Sequence, residues 1–559
     1  MELLKKTSPF ILTILIGLIF FSTFSSYSIT DAENMLNLSV SIYELGDLSS
    51  AIKVNLDTGE RVYVFSKYGL GLPVFLLPFL AINDILHSVF SGVNSNTILS
   101  LPNLIISALL AEALYLIITT LGYSHRKGLS LSIAAIFCTF IYPYLNVIFT
   151  EPLQALTLTC TFLFILKAIE TDEKKGSYIL LAIAGAFFGY GVLTKTALVI
   201  FIPLFYAYQV LGIKRRNNTL GKKKLPMVAS IASFTSTLAL FALIIAALNH
   251  HRFGSVFALG YGEETMMFVN PLFQGISDLL INPNKGLLLF APLMILLPYA
   301  VWRFSKVFAL ESIIIAMLFI VNFIIYAKWW AWEGAASWGP RFLLPLVPLA
   351  IIPLAELTKK RAGIIIIAIL AIGGFLVNLL GVVVNPVAFD NLVLNSTIGM
   401  EIETTRPKTD YIDIGAGLQV PPYVVSSEIA EFSAPLGHLW LMRTRHEGLL
   451  NGYGFTEKNQ RFKNPPWKEN FPNLLIPDIK DFPIEMGLRF KCPPPLILAA
   501  FACPDKKPTT PIYYNALMNQ VSKAEMMGLK VKAAKIRKKA GGEFYEMQKR
   551  LEQMRYPRQ

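Results

Sequence analysis

The sequence has few charged residues for its length and almost none inside its long apolar runs. Only 16% of the 559 residues are charged, whereas 54% are hydrophobic and the mean hydropathy is +0.52. Soluble domains carry about 25% charged residues, so this composition excludes a soluble enzyme. It also excludes a disordered chain and a small disulfide scaffold. The chain is predicted to be a polytopic membrane protein.

Cysteine is also scarce, and the four cysteines say little about the redox environment. Cys138 and Cys160 lie in apolar runs and are predicted to be buried. Cys492 and Cys503 lie in a polar C-terminal region, where they can pair if that region faces an oxidising compartment.

Eleven stretches have the length of about 20 apolar residues that a transmembrane helix needs. They are residues 9–28, 97–121, 129–149, 151–168, 177–193, 195–212, 226–248, 286–302, 307–327, 341–357 and 363–384. The first follows Lys5 and Lys6 without a convincing cleavage site, so we interpret it as a retained helix and not as a signal peptide.

Basic residues in the short loops set the predicted orientation. They recur after the second, fourth, sixth, eighth and tenth stretches, for example Arg126 and Lys127, or Lys359, Lys360 and Arg361. The N-terminus is therefore predicted to be cytoplasmic, and everything after the eleventh stretch extracytoplasmic.

Residues 72–91 are apolar as well, but a span there would reverse the side on which several basic loops lie. The stretch contains Pro73, Pro78, Asn83, Asp84 and His87, which suit an interfacial or re-entrant helix. We therefore predict that it belongs to a large first external loop, residues 29–96.

Ionisable residues inside spans mark the paths of ion-coupled transporters. Here Glu112 is nearly alone within a span and is expected to matter chiefly for folding. Polar residues concentrate instead at the predicted external ends of the helices. Asp31 and Glu33 follow the first span and begin an amphipathic pattern that Gly46 ends; a carboxylate held there can act as a general base, or Asp31 can simply cap the helix.

Five basic residues lie beside small or turn residues at external helix ends: Lys67, Lys195, Arg252, Lys285 and Arg341. Together they suit a phosphate or pyrophosphate headgroup. Taken one at a time, each also fits ordinary snorkelling to lipid headgroups.

The loop AKWWAWEGAASWGPRF, residues 327–342, holds four of the seven tryptophans together with Glu333 and Arg341. An interfacial aromatic belt accounts for some of them. The four tryptophans, interleaved with glycine and charge, indicate a carbohydrate-binding surface as well, with Trp332 and Trp338 as its candidate residues. The adjacent His250 and His251 lack the spacing of metal ligands, so no metal site is predicted.

Several of these segments resemble the GT-C superfamily of polyprenyl-phosphate-dependent glycosyltransferases. They are TDAENMLNLSVSIYELGDLS, FSKYGLGLPVFLLPF, FTEPLQAL, GVLTKTALVIFIP, NPNKGLLLFAPL and WEGAASWGPRFLLPLVPL. The likeness covers roughly residues 10–385 and is greatest to aminoarabinose transferases and to protein O-mannosyltransferases of family 39. The His-Pro-Pro-Leu element of the latter is absent, and Gly69–Pro73 stands near its place.

The resemblance implies an all-α bundle of about eleven transmembrane helices, with amphipathic helices in the first external loop. It also implies inverting transfer of a sugar from a polyprenyl-phosphate donor to an extracytoplasmic lipid, glycan or protein, without metal or other cofactor. Asp31 occupies the place of the family's base, with Glu33 as an alternative, and Glu151 that of a second acid. Lys67, Lys195 and Arg341 match positions that neutralise the leaving phosphate, and Tyr68 lies beside the first of them.

The chain is thus divided into a transmembrane domain, residues 1–385, and an extracytoplasmic tail, residues 386–559. The tail carries most of the net charge of +13, because residues 441–559 hold 22 Lys and Arg against 11 Asp and Glu. Because eleven spans follow a cytoplasmic N-terminus, this excess of positive charge is predicted to lie outside, so no nucleic-acid partner is expected. Residues 512–556 are predicted to be helical with a break at Gly541–Gly542, packing on the outer face, binding a partner, or lying on anionic lipid.

Two other functions share part of this pattern. A flippase or transporter for lipid-linked glycans is expected to show charges inside the bundle and repeated halves, which the sequence lacks. A glycan polymerase is expected to concentrate its catalytic residues in a late external loop. We therefore predict a glycosyltransferase in a bacterial cytoplasmic membrane with its site on the periplasmic side.

Overall fold

A computed structural model shows an almost entirely helical chain. It describes residues 8–23, 30–54, 59–90, 95–220, 223–262, 267–334, 337–383, 412–413, 419–420, 433–438 and 512–541. Apolar side chains fill the interior of the bundle, as the sequence composition requires. The prediction of an all-α membrane protein is confirmed.

The α-helices in the described residues are numbered here in chain order. They are α1 Pro9–Thr23, α2 Thr30–Leu45, α3 Gly71–Val89, α4 Ser95–Thr120, α5 His125–Phe137, α6 Glu151–Glu170, α7 Lys174–Thr194, α8 Ile202–Asn218, α9 Met227–Phe253, α10 Leu272–Ile281, α11 Leu287–Phe290, α12 Leu297–Ser305, α13 Ala309–Lys328, α14 Val347–Ile351, α15 Leu354–Leu357, α16 Arg361–Val383 and α17 Ile512–Met526. Residues 530–541 are also helical.

Two short antiparallel ribbons accompany the helices. Strands β1 (Ala51–Val54) and β2 (Arg61–Val64) follow α2 and pair with Ala51 opposite Val64. Strands β3 (Ile412–Asp413) and β4 (Gln419–Val420) form a second pair.

Helical structure covers each of the eleven stretches predicted to span the membrane. Three of them are interrupted by 3₁₀ turns that contain proline, because proline cannot donate the backbone hydrogen bond of a regular helix. These turns are Tyr142–Asn146, Pro292–Leu296 and Arg341–Leu346. Among the described residues, eight helices are long and apolar enough to cross a membrane. The exact count of eleven spans therefore stays a prediction.

The stretch 72–91, predicted to be interfacial, forms the 19-residue helix α3 and is one of those eight. One face packs on the protein through Leu72, Leu76 and Leu80, while Ile85 and Val89 are exposed. Length and apolarity alone do not distinguish a span from an interfacial helix, so its placement stays a prediction.

Helix α2 has the amphipathic character expected of the first external loop. Met35, Leu38 and Leu45 are buried, and Ile42 is partly buried. The helix ends at Leu45, and Gly46 follows with a φ of 71°, a left-handed conformation that glycine adopts without strain. This local signal was therefore sufficient to place the C-terminal end of the helix.

The C-terminal helical segment differs from the prediction in one respect. The helical run breaks earlier than Gly541, because α17 ends at Met526 and Gly528 takes a φ of 77° before residues 530–541 resume the helix. Helix α17 also packs against α2. Cys492 and Cys503 lie outside the described residues.

Glu112, the acidic residue predicted to matter for folding, lies in α4 and accepts hydrogen bonds at the start of α1. The Ser8 hydroxyl donates to it at 2.6 Å, and the backbone N–H of Phe10 at 3.3 Å. The carboxylate thereby satisfies backbone donors that a helix N-terminus leaves unpaired. Its contacts fit the predicted structural role.

Candidate active site

A cavity of about 640 Å³ lies at one end of the bundle. Its walls come from six parts of the chain: the start of α2, the loop before α3, the start of α6, the junction of α7 and α8, the segment between α9 and α10, and the end of α13 with the Trp-rich loop that follows. All six were predicted to lie on the same side of the membrane. The structure brings them together, and which face of the membrane this end occupies stays a prediction.

Asp31 lies in the first turn of α2 and points into the cavity. Its carboxylate accepts a hydrogen bond from the Tyr68 hydroxyl at 2.5 Å and one from Arg341 Nη1 at 2.9 Å. Burial by itself raises the pKa of Asp31, but Arg341, the Tyr68 hydroxyl and Lys195 together outweigh it and hold the pKa below its usual value. Burial and the neighbouring carboxylate raise the pKa of Tyr68, which keeps its proton for this bond. Asp31 is therefore ionised at neutral pH.

Arg341 connects Asp31 to the second acid, Glu151. Its Nε lies 3.9 Å from Glu151 Oε1, and this nitrogen donates no hydrogen bond to any described residue. The side chain crosses directly over Gly334, where a Cβ atom would clash with it. The ring of Phe342 lies 4.8 Å from the guanidinium carbon. Arg341 is thus held beside the cavity with part of its donor capacity unused.

Lys67 and Lys195 meet around Tyr261. The Lys195 ammonium donates to the Tyr261 hydroxyl at 3.1 Å, and the ammonium groups of Lys67 and Lys195 lie 5.4 and 5.2 Å from the centre of its ring. Gly69 makes this meeting possible, because a Cβ there would collide with the backbone at the end of α7. Two cations from distant parts of the sequence therefore line one wall.

Glu333 is a third acid in the cavity wall, and it is only 4% exposed. Burial raises the pKa of its carboxyl to about 7, and the nearby Lys285 and Arg341 only partly oppose this effect. Near neutral pH the group is therefore present both protonated and ionised, unlike Asp31.

Several lining residues were not among the predicted site residues. They are aromatic or amide side chains, namely Phe149, Tyr261, Phe268, Asn322, Tyr326, Trp329 and Trp330. Trp330 Nε1 is buried without a hydrogen-bond partner in the described part of the chain. The four-tryptophan loop pointed to this surface, but its indole pattern did not distinguish the rings that face the cavity from those that face the core.

Five predicted site residues do not line the cavity. Glu33 is exposed on α2, and Trp332 is buried. Arg252 donates to the carbonyls of Ser66 and Tyr68, so it supports the loop that carries Lys67.

The other two of these five serve the packing of the Trp-rich loop. Lys285 donates to the carbonyl and hydroxyl of Ser337, which fixes one end of that loop. Trp338 is 1% exposed, donates to Asn378 Oδ1 at 3.0 Å and packs edge-on against Phe290. Burial and these partners assign both residues to the framework behind the cavity.

Within the described residues, His, Cys, Asp and Glu form no group of three or more with the geometry of a metal site. His250 and His251 lie in the last turn of α9, outside the cavity lining.

Residues 78–244 match the family model of dolichyl-phosphate-mannose-protein mannosyltransferases. No curated protein matches the chain. Among solved structures, the chain is similar to ArnT from Cupriavidus metallidurans bound to undecaprenyl phosphate, with 12% identity, a TM-score of 0.46, and coverage of 79% of this chain and 71% of that one. The apo form of the same protein has 12% identity, a TM-score of 0.45, and coverage of 79% of this chain and 69% of that one. The Archaeoglobus fulgidus oligosaccharyltransferase in complex with Zn and sulfate has 14% identity, a TM-score of 0.38, and coverage of 71% of this chain and 56% of that one.

The family match falls on α3 to α9, the helices that carry Lys195 and Glu151 into the cavity wall. It agrees with the resemblance stated from the sequence motifs, which extends on both sides of the matched residues. Over these helices the match supports the predicted glycosyltransferase class, and its extension to the whole chain is a proposal.

Proposed function

We propose that this protein transfers a sugar from a polyprenyl-phosphate donor to an acceptor hydroxyl on a lipid, glycan or protein, with Asp31 as the general base. The observation that carries the proposal is the cavity itself, in which an ionised Asp31 and the cations Lys67, Lys195 and Arg341 line one space. A sugar phosphate needs this combination, because a proton leaves the acceptor while negative charge grows on the phosphate.

In the proposed step the acceptor oxygen attacks the anomeric carbon from the face opposite the phosphate. The new C–O bond forms as the bond from that carbon to the phosphate oxygen breaks, and its electron pair stays on the polyprenyl phosphate. The acceptor proton passes to the carboxylate of Asp31. The configuration at the anomeric carbon is inverted, and the products are the glycosylated acceptor and polyprenyl phosphate.

Charge stabilisation supplies most of the catalysis in this scheme. Lys67 and Lys195 flank the Tyr261 ring and can bind the phosphate as point charges, whereas Arg341 can bind it with two parallel hydrogen bonds. Arg341 also holds Asp31 at 2.9 Å. A phosphate that competes for Arg341 weakens this ion pair and raises the pKa of Asp31, so donor binding makes the carboxylate a better base.

The aromatic wall supports a carbohydrate in the same space. Trp329, Trp330 and Tyr326 line the cavity, and aromatic rings present apolar faces to the C–H groups of a sugar. We place the site on the periplasmic face of a bacterial cytoplasmic membrane, following the orientation of the basic loops.

The test is consumption of a panel of polyprenyl-phosphate hexoses, pentoses and amino sugars by the wild-type protein and by Asp31→Asn in native membranes. Asp31→Asn is expected to lower transfer by about 1000-fold, the scale of a lost general base. Glu33→Gln, a matched change two residues away on the same helix, is expected to retain activity because Glu33 is exposed outside the cavity.

Two results would contradict the proposal. Full turnover by Asp31→Asn removes the catalytic assignment. Movement of lipid-linked glycan across the bilayer without consumption of any donor replaces the transferase with a flippase.

A further inference from the structure

The C-terminal helical segment, residues 512–541, contains no residue that lines the cavity, yet it contacts the helix that carries Asp31. Its apolar face is buried through Tyr513, Leu517 and Val521. Helix α17 packs along α2 and also touches β1, which follows α2 in the chain. The tail is therefore joined to the first external loop and not separate from it.

The polar contacts between the two regions centre on Lys523. Its side chain is 1% exposed and donates to Ser41 Oγ at 2.6 Å and to the carbonyl of Ser49 at 2.5 Å. It also pairs with Asp47 at 2.5 Å. Ser41 in turn donates to the carbonyls of Asp47 and Ser49, so one lysine joins the last turn of α2 to the loop that follows it.

Two further contacts fix α2 on either side of Lys523. Gln520 donates to Asn37 Oδ1 at 2.7 Å. Lys539 pairs with Glu44 at 2.6 Å and with Asp84 of α3 at 2.6 Å. The segment thus contacts α2 over about two turns and connects it to α3, whereas the opposite end of α2 is held by the bonds of Asp31 to Tyr68 and Arg341.

We infer that the C-terminal segment is a positioning element of the active site, with Lys523 as its main positioning residue. This inference rests on the proposed role of Asp31. Ser41 lies ten residues from Asp31, about 15 Å along the helix axis at 1.5 Å per residue. A tilt of about 4° at the Lys523 end therefore moves Asp31 by about 1 Å, a displacement on the scale that costs about 100-fold in rate.

A change in tilt has a specific electrostatic consequence. The pKa of Asp31 is low because Tyr68 and Arg341 contact its carboxylate. When α2 moves, these contacts lengthen and the pKa of Asp31 rises toward its usual value. The acid limb of the pH–rate profile then shifts to higher pH, which general destabilisation of the protein does not produce.

The experiment compares Lys523→Met, Lys523→Arg and Gln520→Ala in the full-length protein with the matched control Lys535→Met, which changes an exposed lysine of the same segment. For Lys523→Met we expect kcat to fall by about 10- to 100-fold with KM nearly unchanged, and the acid limb to move upward. Lys523→Arg is expected to restore much of the rate, and Gln520→Ala to have a smaller effect of the same kind. Lys535→Met is expected to match the wild type.

A second measurement does not depend on transferase activity. In an Asp31→Cys background, the rate of labelling by a small thiol reagent, corrected for the parent protein, reports access to position 31. Adding Lys523→Met is expected to accelerate labelling several-fold, and adding Lys535→Met is not. Equal labelling rates together with an unmoved acid limb overturn the inference. If no donor is consumed by the wild type but labelling accelerates, the proposed reaction fails and the positioning role stands.

Discussion

Two arginine–carboxylate pairs lie at opposite ends of α13, and they differ in how completely they are satisfied. At one end Arg215 donates to both oxygens of Glu311, at 2.7 and 3.0 Å, and Glu311 is fully buried. At the other end Arg341 makes one short contact with Asp31 and a longer one with Glu151, and its Nε has no hydrogen-bond partner in the described residues.

The difference distinguishes a structural ion pair, Arg215–Glu311, from an ion pair of the candidate active site, Arg341–Asp31. Leaving a buried polar group without a partner is costly, so native proteins rarely do so away from function. Arg215 and Glu311 use their bonding capacity on each other and stabilise the packing of α8 on α13. Arg341 instead lines a cavity of about 640 Å³ and lies between two carboxylates, Asp31 and Glu151.

The largest effect expected within this comparison comes from replacing the guanidinium group of Arg341 by an ammonium group. Arg341→Lys keeps the charge but loses the planar pair of donors, so kcat/KM for the lipid-phosphate donor is expected to fall by about 100-fold. The matched change Arg215→Lys is expected to leave kcat/KM within about twofold while lowering the melting temperature. Steady-state kinetics and thermal melts in detergent check both, and similar kinetic losses in the two variants contradict the distinction.

Removing the acid of the structural pair tests the comparison from the other side. Glu311→Gln leaves Arg215 without its charged partner, and the melting temperature is expected to fall by a few degrees, corresponding to about 1 kcal/mol. Turnover per folded molecule is expected to be unchanged. A loss of turnover at constant stability assigns Glu311 to function and breaks the comparison.

The same contrast exists within the Trp-rich loop. Trp330→Phe reduces an aromatic ring that lines the cavity, so KM is expected to rise about fivefold with the melting temperature unchanged, since such ring contacts contribute about 1 kcal/mol. Trp338→Phe removes the bond to Asn378 in the core, so the melting temperature is expected to fall with KM unchanged. A raised KM for Trp338→Phe together with a lowered melting temperature for Trp330→Phe would contradict the assignment of Trp330 to the cavity and Trp338 to the core.

The smallest expected effect concerns Glu333 and pH. The pKa of its carboxyl is raised from 4.5 to about 7 by burial, so the folded state binds more protons than the unfolded state between these values. Stability therefore falls as pH rises from about 4.5 to 7 and is level above that range. Glu333→Gln removes this dependence, and its melting temperature is expected to exceed that of the wild type at pH 8 by a few degrees but not at pH 4.5. Parallel melting curves against pH contradict the prediction.

The sequence was informative where a signal is local. Apolar runs placed helices, and Gly46 placed the C-terminal end of α2, because each of these signals depends on neighbouring residues alone. Motif resemblance selected Asp31, Lys67, Lys195 and Arg341, and these residues do line one cavity. The proline-broken helices were harder to predict, since a hydropathy window does not register a 3₁₀ turn inside an apolar run.

Composition and apolar runs by themselves determined that this chain is a helical membrane protein, and motif resemblance predicted glycosyltransferase chemistry by a set of polar residues at one end of its bundle. Tertiary structure alone decided which members of that polar set meet. Lys285 and Trp338 resemble Lys67 and Trp330 in sequence, but packing against Ser337 and Asn378 assigns the first two to the framework. The contact of Lys523 with α2 joins residues nearly 500 positions apart, and no local pattern specifies a contact that depends on how the whole chain packs.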